Sequence, residues 1–301
     1  MNLTLGPVLF NWEAAAWRDF YFRIADEAPI DRVVLGEIVC SKRLPFYAEH
    51  LPVVLQRLAA AGKEVLLGSL VLVTLEREQR HIAELAATSP VMVEANDFSC
   101  LAHLIGRPHA IGPFINVYNR STARFLAARG ARRICLPPEL PSTSIAAIAA
   151  AVDDVAFEVF AFGRIPLAIS ARCTHARLHG LSKDNCRFVC ERDADGLVLE
   201  TLDAEPFLAI NGVQTLSHRC ANLINELDEL ETMGIAACRL SPQRCDMVAV
   251  SRIFRDAMDH RIGPIEANAA LAQIFPTAPF SNGFLHGQPG AAYREPDIRY
   301  G

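Results

Sequence analysis

The stretch EVLLGSLVLVTLEREQRHIAELAATSPVMVEA, residues 64–95, decides the fold. It begins with an apolar run, EVLLGS (Glu64 to Ser69), and continues through a segment of helical periodicity (Glu76 to Ala87). It ends in a second apolar run, PVMVEA (Pro90 to Ala95). Two short apolar runs joined by one helix predict a βαβ unit, in which both strands lie parallel in the same sheet.

The same alternation extends in both directions along the chain. Further strands are predicted at residues 3–10, 32–37, 110–116, 132–137, 157–163 and 235–242. Further helices are predicted at residues 12–27, 46–61, 98–105, 119–129, 142–152, 221–233 and 246–260. Eight strands alternating with helices favour an α/β fold of the TIM-type (β/α) barrel class. An open doubly wound sheet is the alternative, although no G-x-G-x-x-G follows the first strand to support a dinucleotide site.

The chain is predicted to be a single barrel-like domain over residues 1–301, with one insertion after the seventh strand at residues 164–220. The insertion contains two more strand-like runs, at residues 196–202 and 207–213. Residues 276–301 form a Pro/Gly-rich tail that is expected to wrap the surface or fray. Loops after barrel strands build the active face. The side chains expected on this face are Glu37, Cys40, Ser69, Glu94, Asn96, Asn116, Asn119 and Glu139.

Composition limits the partners and the compartment. A net charge of -5 and a pI near 6.0 argue against a broad nucleic-acid surface, which needs an excess of Lys and Arg. The N-terminal stretch lacks a basic segment followed by an apolar one, and no apolar run approaches the ~20 residues that span a bilayer. A cytoplasmic protein without a transmembrane segment is therefore expected. Its nine cysteines should be mostly thiols, and those that cluster point to metal or redox chemistry more than to disulfides.

Three of these cysteines crowd into one charged segment. Cys173, Cys186 and Cys190 are spaced C-x12-C-x3-C, which is neither the zinc-ribbon nor the bacterial ferredoxin pattern. The barrel prediction supplies a fourth thiol, because Cys40 follows the second strand on the same face. Cys220, at the predicted start of a helix, and Cys245, in a loop, compete for the fourth place.

The other cysteines are predicted from their context. Cys135 and Cys238 lie inside predicted strands and are expected to be small buried apolar residues, whereas Cys100 is undecided. Four thiolates can hold either zinc or an iron-sulfur cluster. Cations flank the cysteines and favour a cluster, because they would offset its negative charge. Alternatively, they are ordinary surface charges. These cations are Lys42, Arg43, Arg172, Arg177 and Lys183.

Other candidate groups carry weaker signals. His175 and His179 are spaced i, i+4, so they could bind a metal from one helix face or be ordinary surface histidines. Glu37, Glu94 and Asn96 could bind or protonate a substrate, or could simply cap helices. The sequence contains no G-x-S-x-G, H-E-x-x-H or P-loop, so hydrolases and phosphotransferases lack their usual signatures.

Residues 157–186, FEVFAFGRIPLAISARCTHARLHGLSKDNC, resemble the signature region of the collagenase-like peptidase U family. Six pieces, LGPVLFNW, LGEIVCSKR, IPLAISARC, LSKDNCRFVC, FLAINGVQTLS and RLSPQ, are similar to a branch of this family that acts in ubiquinone biosynthesis. The resemblance implies a barrel-like fold and a 4Fe-4S cluster held by Cys40, Cys173, Cys186 and Cys190. It also implies oxygen-independent hydroxylation of a ubiquinone precursor during anaerobic growth, as a subunit of a heterodimer with a homologous, UbiU-like partner.

Two other functions stay open at this point. The first is a peptidase of the same family, although the chain departs from the family pattern at residues 164–167, where a cysteine would be expected. The second is a zinc-stabilised, non-catalytic binding module that uses the same cysteines without redox chemistry. A relative acting on RNA is the least favoured, because the pI is acidic.

Overall fold

The computed structural model describes residues 1–295 and contains a closed barrel of eight parallel strands. The wall closes because the last strand pairs on one side with the first, Cys238 opposite Leu3, and on the other with the seventh, Cys238 opposite Val159. Each barrel strand overlaps one predicted run, so the predicted TIM-type fold is confirmed. The barrel strands are β1 (Asn2–Leu5), β2 (Arg32–Leu35), β3 (Glu64–Gly68), β4 (Met92–Ala95), β5 (His109–Ile111), β6 (Ala131–Leu136), β7 (Ala156–Ile169) and β11 (Ala237–Leu240).

Helices follow most of the strands and cover the outside of the barrel. The predicted helix at residues 46–61 is divided in two, because Pro52, in the first turn of the second piece, has no backbone N–H to donate to the carbonyl of Ala48 at the end of the first. The last helix has no counterpart among the predictions. The helices are α1 (Ala14–Glu27), α2 (Leu44–Ala48), α3 (Leu51–Ala60), α4 (Glu76–Thr88), α5 (Phe98–Leu104), α6 (Arg120–Ala127), α7 (Ser142–Ala149), α8 (Thr174–Leu178), α9 (Leu227–Thr232), α10 (Met247–Met258) and α11 (Pro264–Ile274).

The inside of the barrel is polar over part of its height. Arg239 on β11 donates to both carboxylate oxygens of Glu94 on β4, a strand that does not neighbour β11 in the wall, so this pair crosses the interior. Arg239 also pairs with Glu158, and Arg32 donates to Thr4 Oγ1 at 3.2 Å. These inward-facing side chains are buried because residues on a barrel strand alternate between interior and exterior. We call the interior occupied by this network the lumen.

The insertion is an antiparallel sheet built on β7. Beyond the barrel wall β7 pairs with β10 (Gln214–Asn222), which pairs with β9 (Pro206–Asn211), which in turn pairs with β8 (Leu197–Glu200). The two strand-like runs predicted in the insertion are confirmed as β8 and β9. β7 therefore belongs to both the barrel and the insertion, and it joins them without a hinge loop.

One predicted helix is partly wrong. Residues 221 and 222 are the end of β10, and α9 begins only at Leu227, so Cys220 lies buried in a strand and not at the start of a helix. The pairing of β10 with β7 shifts between Leu216 and Cys220, and this irregularity places Ser217, His218 and Arg219 off the regular ladder. The shift removes the alternation of apolar and polar residues that identifies a strand in a sequence.

The first part of the Pro/Gly-rich tail is packed against the barrel. β12 (Phe280–Ser281) pairs with β10, Leu285 is buried, and Asn282 Nδ2 donates to Glu226 Oε1 at 2.8 Å. The tail thus wraps the surface, as predicted, as far as residue 295, and residues 296–301 lie outside the described part of the chain. Across residues 1–295, no helix combines the length and the apolar character needed to cross a bilayer.

Candidate functional site

Cys40 is held by the loop that leaves β2. The loop turns at Gly36, whose φ of 118° is a left-handed conformation that favours glycine. Glu37 Oε1 then accepts hydrogen bonds from the backbone N–H of Val39 at 2.7 Å and of Cys40 at 2.8 Å. Burial raises the pKa of Glu37, and the neighbouring Arg43 opposes that rise. Glu37 therefore shapes the Cys40 loop.

Cys173 occupies the N-terminal cap of α8. Its Sγ accepts a hydrogen bond from the backbone N–H of Ala176 at 3.4 Å. The short helix is attached to the insertion sheet by the backbone N–H of His175, which donates to Gly212 O at 3.2 Å in the turn between β9 and β10. A thiol at a helix N-terminus faces the positive end of the peptide dipoles, an arrangement that suits the thiolate form.

Cys186 and Cys190 are brought together by a left-handed turn. Between them, Arg187 has φ 48° and Phe188 has φ 51°, a conformation that is uncommon for residues with side chains. Asn211 fixes the end of the turn, because its Nδ2 donates to Cys190 O at 2.9 Å. The backbone strain at two successive residues thus aims both thiols inward from a segment with little regular structure.

All four cysteines line one cavity of about 330 Å³. We call this space the cysteine cavity. Two regions far apart in the sequence meet there, the loop after β2 and the insertion. The residues that line it are Cys40, Lys42, Arg43, Cys173, His175, Ala176, Lys183, Cys186, Phe188, Val189, Cys190 and Gly212.

Hydrogen-bond donors and cations point at the sulfur atoms. Lys42 Nζ lies 3.5 Å from Cys186 Sγ, and Arg43 Nη2 lies 3.4 Å from Cys190 Sγ. Asn11 Nδ2 donates to the same Cys190 Sγ at 3.4 Å. Donors of this kind stabilise metal-bound thiolates and tune the reduction potential of iron-sulfur centres. The chemistry of these residues therefore fits a soft, negatively charged metal centre.

A second, more open cavity of about 970 Å³ adjoins the first. It shares Lys42, Cys173 and Lys183 with the cysteine cavity, and its further cations include Arg77, Arg172 and Arg177. Arg172 and Arg177, two of the five cations noted in the sequence, therefore lie on this outer side and not around the sulfur atoms. Positive charge on two sides lowers the cost of holding a buried anionic group between them.

Without a metal the site is a poor nucleophile. Burial raises the pKa of the Cys40 thiol, an effect that Arg43 opposes. Burial likewise raises the pKa of Cys173, against the hydrogen bond from Ala176. A reactive cysteine needs a lowered pKa, whereas a coordinating metal deprotonates a thiol outright. The arrangement can thus serve metal ligation better than thiol attack on a substrate.

The distances between the sulfur atoms show whether the four thiols are placed around a single metal ion. In residues 1–295, no three of the four cysteine Sγ atoms lie within 4.8 Å of one another. A tetrahedral zinc ion with Zn–S bonds near 2.3 Å would hold its sulfur ligands about 3.8 Å apart. In the described residues the four thiols are therefore not arranged as the ligands of a single tetrahedral ion.

The competing cysteines lie elsewhere. Cys135 and Cys238 are buried in strands, as predicted, and Cys100 is buried in α5. Cys220 and Cys245 do not line the cysteine cavity. Burial raises the pKa of Cys245 to about 12 and that of Cys238 to about 12, so both behave as small apolar residues.

The polar residues predicted for the active face divide into several groups. Ser69 and Asn96 are buried together at the ends of β3 and β4, where Ser69 Oγ accepts from the Asn96 backbone N–H at 2.9 Å. Asn119 caps α6, and Glu139 accepts from Tyr118 at 2.5 Å. The remaining ones are Glu94, in the lumen, and Asn116, which ends a 3-10 turn.

Two asparagines that support the site were not identified as site residues in the sequence. Asn211 Oδ1 accepts from Arg43 Nη2 at 2.7 Å and from the Asn11 backbone N–H at 3.1 Å. Both lie in quoted segments of the resemblance, LGPVLFNW and FLAINGVQTLS, which was the available signal. Their supporting role depends on the hydrogen bond between the Asn11 backbone N–H and Asn211 Oδ1, two residues that are 200 positions apart in the sequence.

Comparison with solved structures finds distant similarity. The chain is similar to N-acetylneuraminate lyase from Fusobacterium nucleatum, with 10% identity, a TM-score of 0.45 and coverage of 90% of this chain and 79% of that one. It is also similar to a dihydrodipicolinate synthase family protein from Coccidioides immitis, with 10% identity, a TM-score of 0.39 and coverage of 89% and 75%. Scores this low carry no information on activity.

Comparison with family models is decisive where the solved structures are not. The model named Peptidase_U32, described as peptidase family U32, matches residues 20–295. The match includes seven of the eight barrel strands, the insertion, all four cysteines of the cavity and the packed part of the tail. The chain therefore belongs to peptidase family U32.

Proposed function

We propose that this chain is an iron-sulfur subunit required for oxygen-independent hydroxylation in ubiquinone biosynthesis, a UbiV-like protein acting with a UbiU-like partner. The observation that carries the proposal is the meeting of Cys40 with Cys173, Cys186 and Cys190 around one cation-lined cavity. The resemblance of the quoted segments to the ubiquinone branch of the family supports the task. Family membership alone supplies neither the cluster nor the reaction.

A 4Fe-4S cluster bound to the four thiolates would supply electron transfer. The chain's own residues would do the rest of the work at the site. Lys42 and Arg43 donate to sulfur and offset negative charge, Asn11 and Asn211 fix the Cys190 turn, and Glu37 holds the Cys40 loop. Phe188 and Val189 line the cavity and exclude water from it.

The partner proposal is supported by the outer edge of the insertion. β8 is the edge strand of the sheet and pairs, within the described residues, only with β9. Large apolar side chains are exposed along this sheet, among them Leu167, Leu202 and Phe207. Apolar residues on an exposed sheet mark a surface that another protein covers. Co-purification of the two subunits should therefore be weakened by Phe207→Ser and unaffected by a substitution on α11 such as Ile265→Ser, which is equally exposed.

The first test of the proposal is the iron and acid-labile sulfide content of protein purified without oxygen, with its visible spectrum. We expect about four irons and four sulfides per chain. Cys40→Ser should abolish the cluster because it removes one of four ligands. Cys245→Ser is the matched control, since Cys245 is half-buried like Cys40 but does not line the cavity.

Three outcomes would contradict the proposal. Colourless protein with about one zinc per chain would assign the cysteines to a structural zinc site. Equal iron content in Cys40→Ser and Cys245→Ser would exclude Cys40 as a ligand. Peptide cleavage by a cluster-free variant would support the family peptidase reading, which the raised pKa of Cys40 and of Cys173 disfavours.

A further inference from the structure

Beside the cysteine cavity lies a second group of metal-ligating side chains. Nitrogen atoms of His175 and His179 and a carboxylate oxygen of Asp193 all lie within 4.8 Å of one another. His175 and Asp193 are two and three residues away from Cys173 and Cys190, but none of the three is a cysteine, and they offer nitrogen and oxygen atoms instead of sulfur. A hard or borderline cation would therefore select this group over the thiols.

The key histidine is buried and makes no well-aligned hydrogen bond at one nitrogen. His175 is 0% exposed, and its Nδ1 lies 3.2 Å from Ile210 O. A carbonyl oxygen only accepts, so Nδ1 carries a proton and is fixed in place. Its Nε2 makes no well-aligned hydrogen bond, but it lies 3.0 Å from Asp193 Oδ2, which is an ion-pair partner when the ring is protonated. A histidine whose other nitrogen is fixed by a backbone carbonyl is the usual state of a metal ligand.

The distances suit an ion bound between these groups. A divalent first-row metal with bonds of 2.0–2.2 Å holds neighbouring nitrogen and oxygen ligands about 2.8 to 3.6 Å apart, the lower end of the range belonging to octahedral and the upper end to tetrahedral coordination. The separation of 3.0 Å between His175 Nε2 and Asp193 Oδ2 lies in this range. Asp193 is held in place because its carbonyl accepts from Asn211 Nδ2 at 2.8 Å.

The third ligand, His179, can change its ring orientation to meet an ion. His179 follows the last turn of α8, and its ring stacks on that of His175 with centroids 5.3 Å apart. His179 is exposed, so its ring can turn toward an incoming ion at little cost. Three protein ligands with open positions are typical of divalent transition-metal sites that also hold water.

We propose that His175, His179 and Asp193 bind one divalent first-row transition-metal ion, of the class of zinc or ferrous iron, next to the cysteine cavity, whose lining shares His175 with this site. The ion would join α8, which carries Cys173, to the turn that carries Cys190. It would thus fasten two of the segments that form the cysteine cavity. The proposal does not depend on the cluster or on the reaction proposed above.

The test uses Co²⁺ alone as the probe, with the full chain purified without oxygen and treated with a chelator. Equilibrium dialysis should give one Co²⁺ per chain in addition to any iron, and the visible spectrum should show ligand-field bands without a sulfur-to-cobalt charge-transfer band. His179→Ala and Asp193→Asn should each weaken Co²⁺ binding by at least about tenfold. Both sites are exposed or half-buried, so these variants should fold.

The matched control is His260→Ala, because His260 is another exposed histidine near a carboxylate, 4.0 Å from Asp228, on the far side of the barrel. The His260→Ala variant should bind Co²⁺ with the same affinity as the unaltered chain. Absence of Co²⁺ binding, or equal Co²⁺ affinity in His179→Ala, Asp193→Asn and the unaltered chain, would overturn the proposal, whereas a thiolate charge-transfer band would report Co²⁺ in the cysteine cavity. Iron and sulfide content, measured on the same samples, reports separately on the cysteine cavity.

Discussion

The lumen and the cysteine cavity both bury several charged groups, but they balance the charge in different ways. In the lumen, within the described residues, two buried arginines face two buried glutamates: Arg32 and Arg239 against Glu94 and Glu158. Among the residues that line the cysteine cavity are three cations and no carboxylate: Lys42, Arg43 and Lys183.

The difference separates a structural network from a binding site. Buried charges persist in a protein when they are paired with opposite charges and hydrogen-bonded. The lumen meets this condition with its own side chains, so it needs no ligand. In the cysteine cavity the fully buried cation, Arg43, has Glu37 as a partner at 3.8 Å, whereas Lys42 and Lys183 are half-buried. The lining therefore carries an excess of positive charge, which deprotonated thiols or an anionic centre bound to them would offset.

The largest loss in the free energy of unfolding is expected from removing the central arginine of the lumen network. Arg239→Met should lower the free energy of unfolding by about 3–5 kcal/mol, because it leaves Glu94 and Glu158 buried without their cation. Denaturant unfolding of the two proteins measures the loss. The iron content of the fraction that remains folded should be unchanged, since the lumen does not line the cysteine cavity.

The matched control is Arg261→Met. Arg261 also pairs with two carboxylates, Asp256 and Asp259, but at the protein surface, where ion pairs contribute little. Its free energy of unfolding should stay close to that of the unaltered chain. Equal losses in both variants would mean that burial does not distinguish the lumen network from an ordinary surface ion pair.

A smaller loss in the free energy of unfolding is expected when the pH is lowered. Burial alone would raise the pKa of Glu158, but Arg239, Thr4 and Arg32 together outweigh it and hold the pKa below the ordinary 4.5. Such a carboxylate stabilises the fold above pH 4.5, and this contribution is lost as the pH falls through the lowered pKa. The free energy of unfolding, measured by denaturant titration at successive pH values, should therefore fall below about pH 5.

Glu226 should change the free energy of unfolding with pH in the opposite direction to Glu158. Burial raises its pKa above 4.5, against the effect of its partner His286, so its contribution is present below pH 4.5 and lost as the pH rises through the raised value. Glu226→Gln stays neutral and should gain about 1 kcal/mol over the unaltered chain near pH 8, with no gain near pH 4. Parallel curves for the two proteins would contradict the raised pKa.

The smallest effect is expected in the cysteine cavity. Lys42→Gln removes the charge 3.5 Å from Cys186 Sγ but keeps a donor there. If the proposed cluster is present, its reduction potential should become more negative, by on the order of tens of millivolts, because the reduced, more negative state loses a nearby cation. Redox titration of Lys42→Gln beside Arg77→Gln, a cation of the outer cavity only, measures the difference. A larger change in Arg77→Gln would contradict the role given to Lys42.

The fold could be predicted because its signal is periodic. Each barrel strand is a short apolar run bounded by helical segments, and that pattern survives the variation of single residues. The lumen network could not be predicted, because Glu94 and Arg239 are adjacent only after the barrel closes. β10 could not be predicted in full, because its pairing shift at Ser217–Arg219 hides the alternation.

The site could be predicted to the level of its cysteines. Cys40 could be grouped with the insertion because the ends of barrel strands meet at one face. Its neighbours Asn11 and Asn211 could not be identified, since an asparagine after a strand is also a common turn residue. The left-handed conformations of Arg187 and Phe188 carry no sequence signal, because neither residue type favours them.

The sharing of β7 between the barrel and the insertion has a consequence for the order of events at the ribosome. Cys40 emerges early, but the turn that positions Cys190 depends on Asn211, and the insertion sheet depends on β10. β7 gains its second barrel neighbour only when β11 has been synthesised. The four thiols therefore converge only after β10 has been synthesised, and a nascent chain halted before Asn211 should carry its cysteines as separate, unprotected thiols.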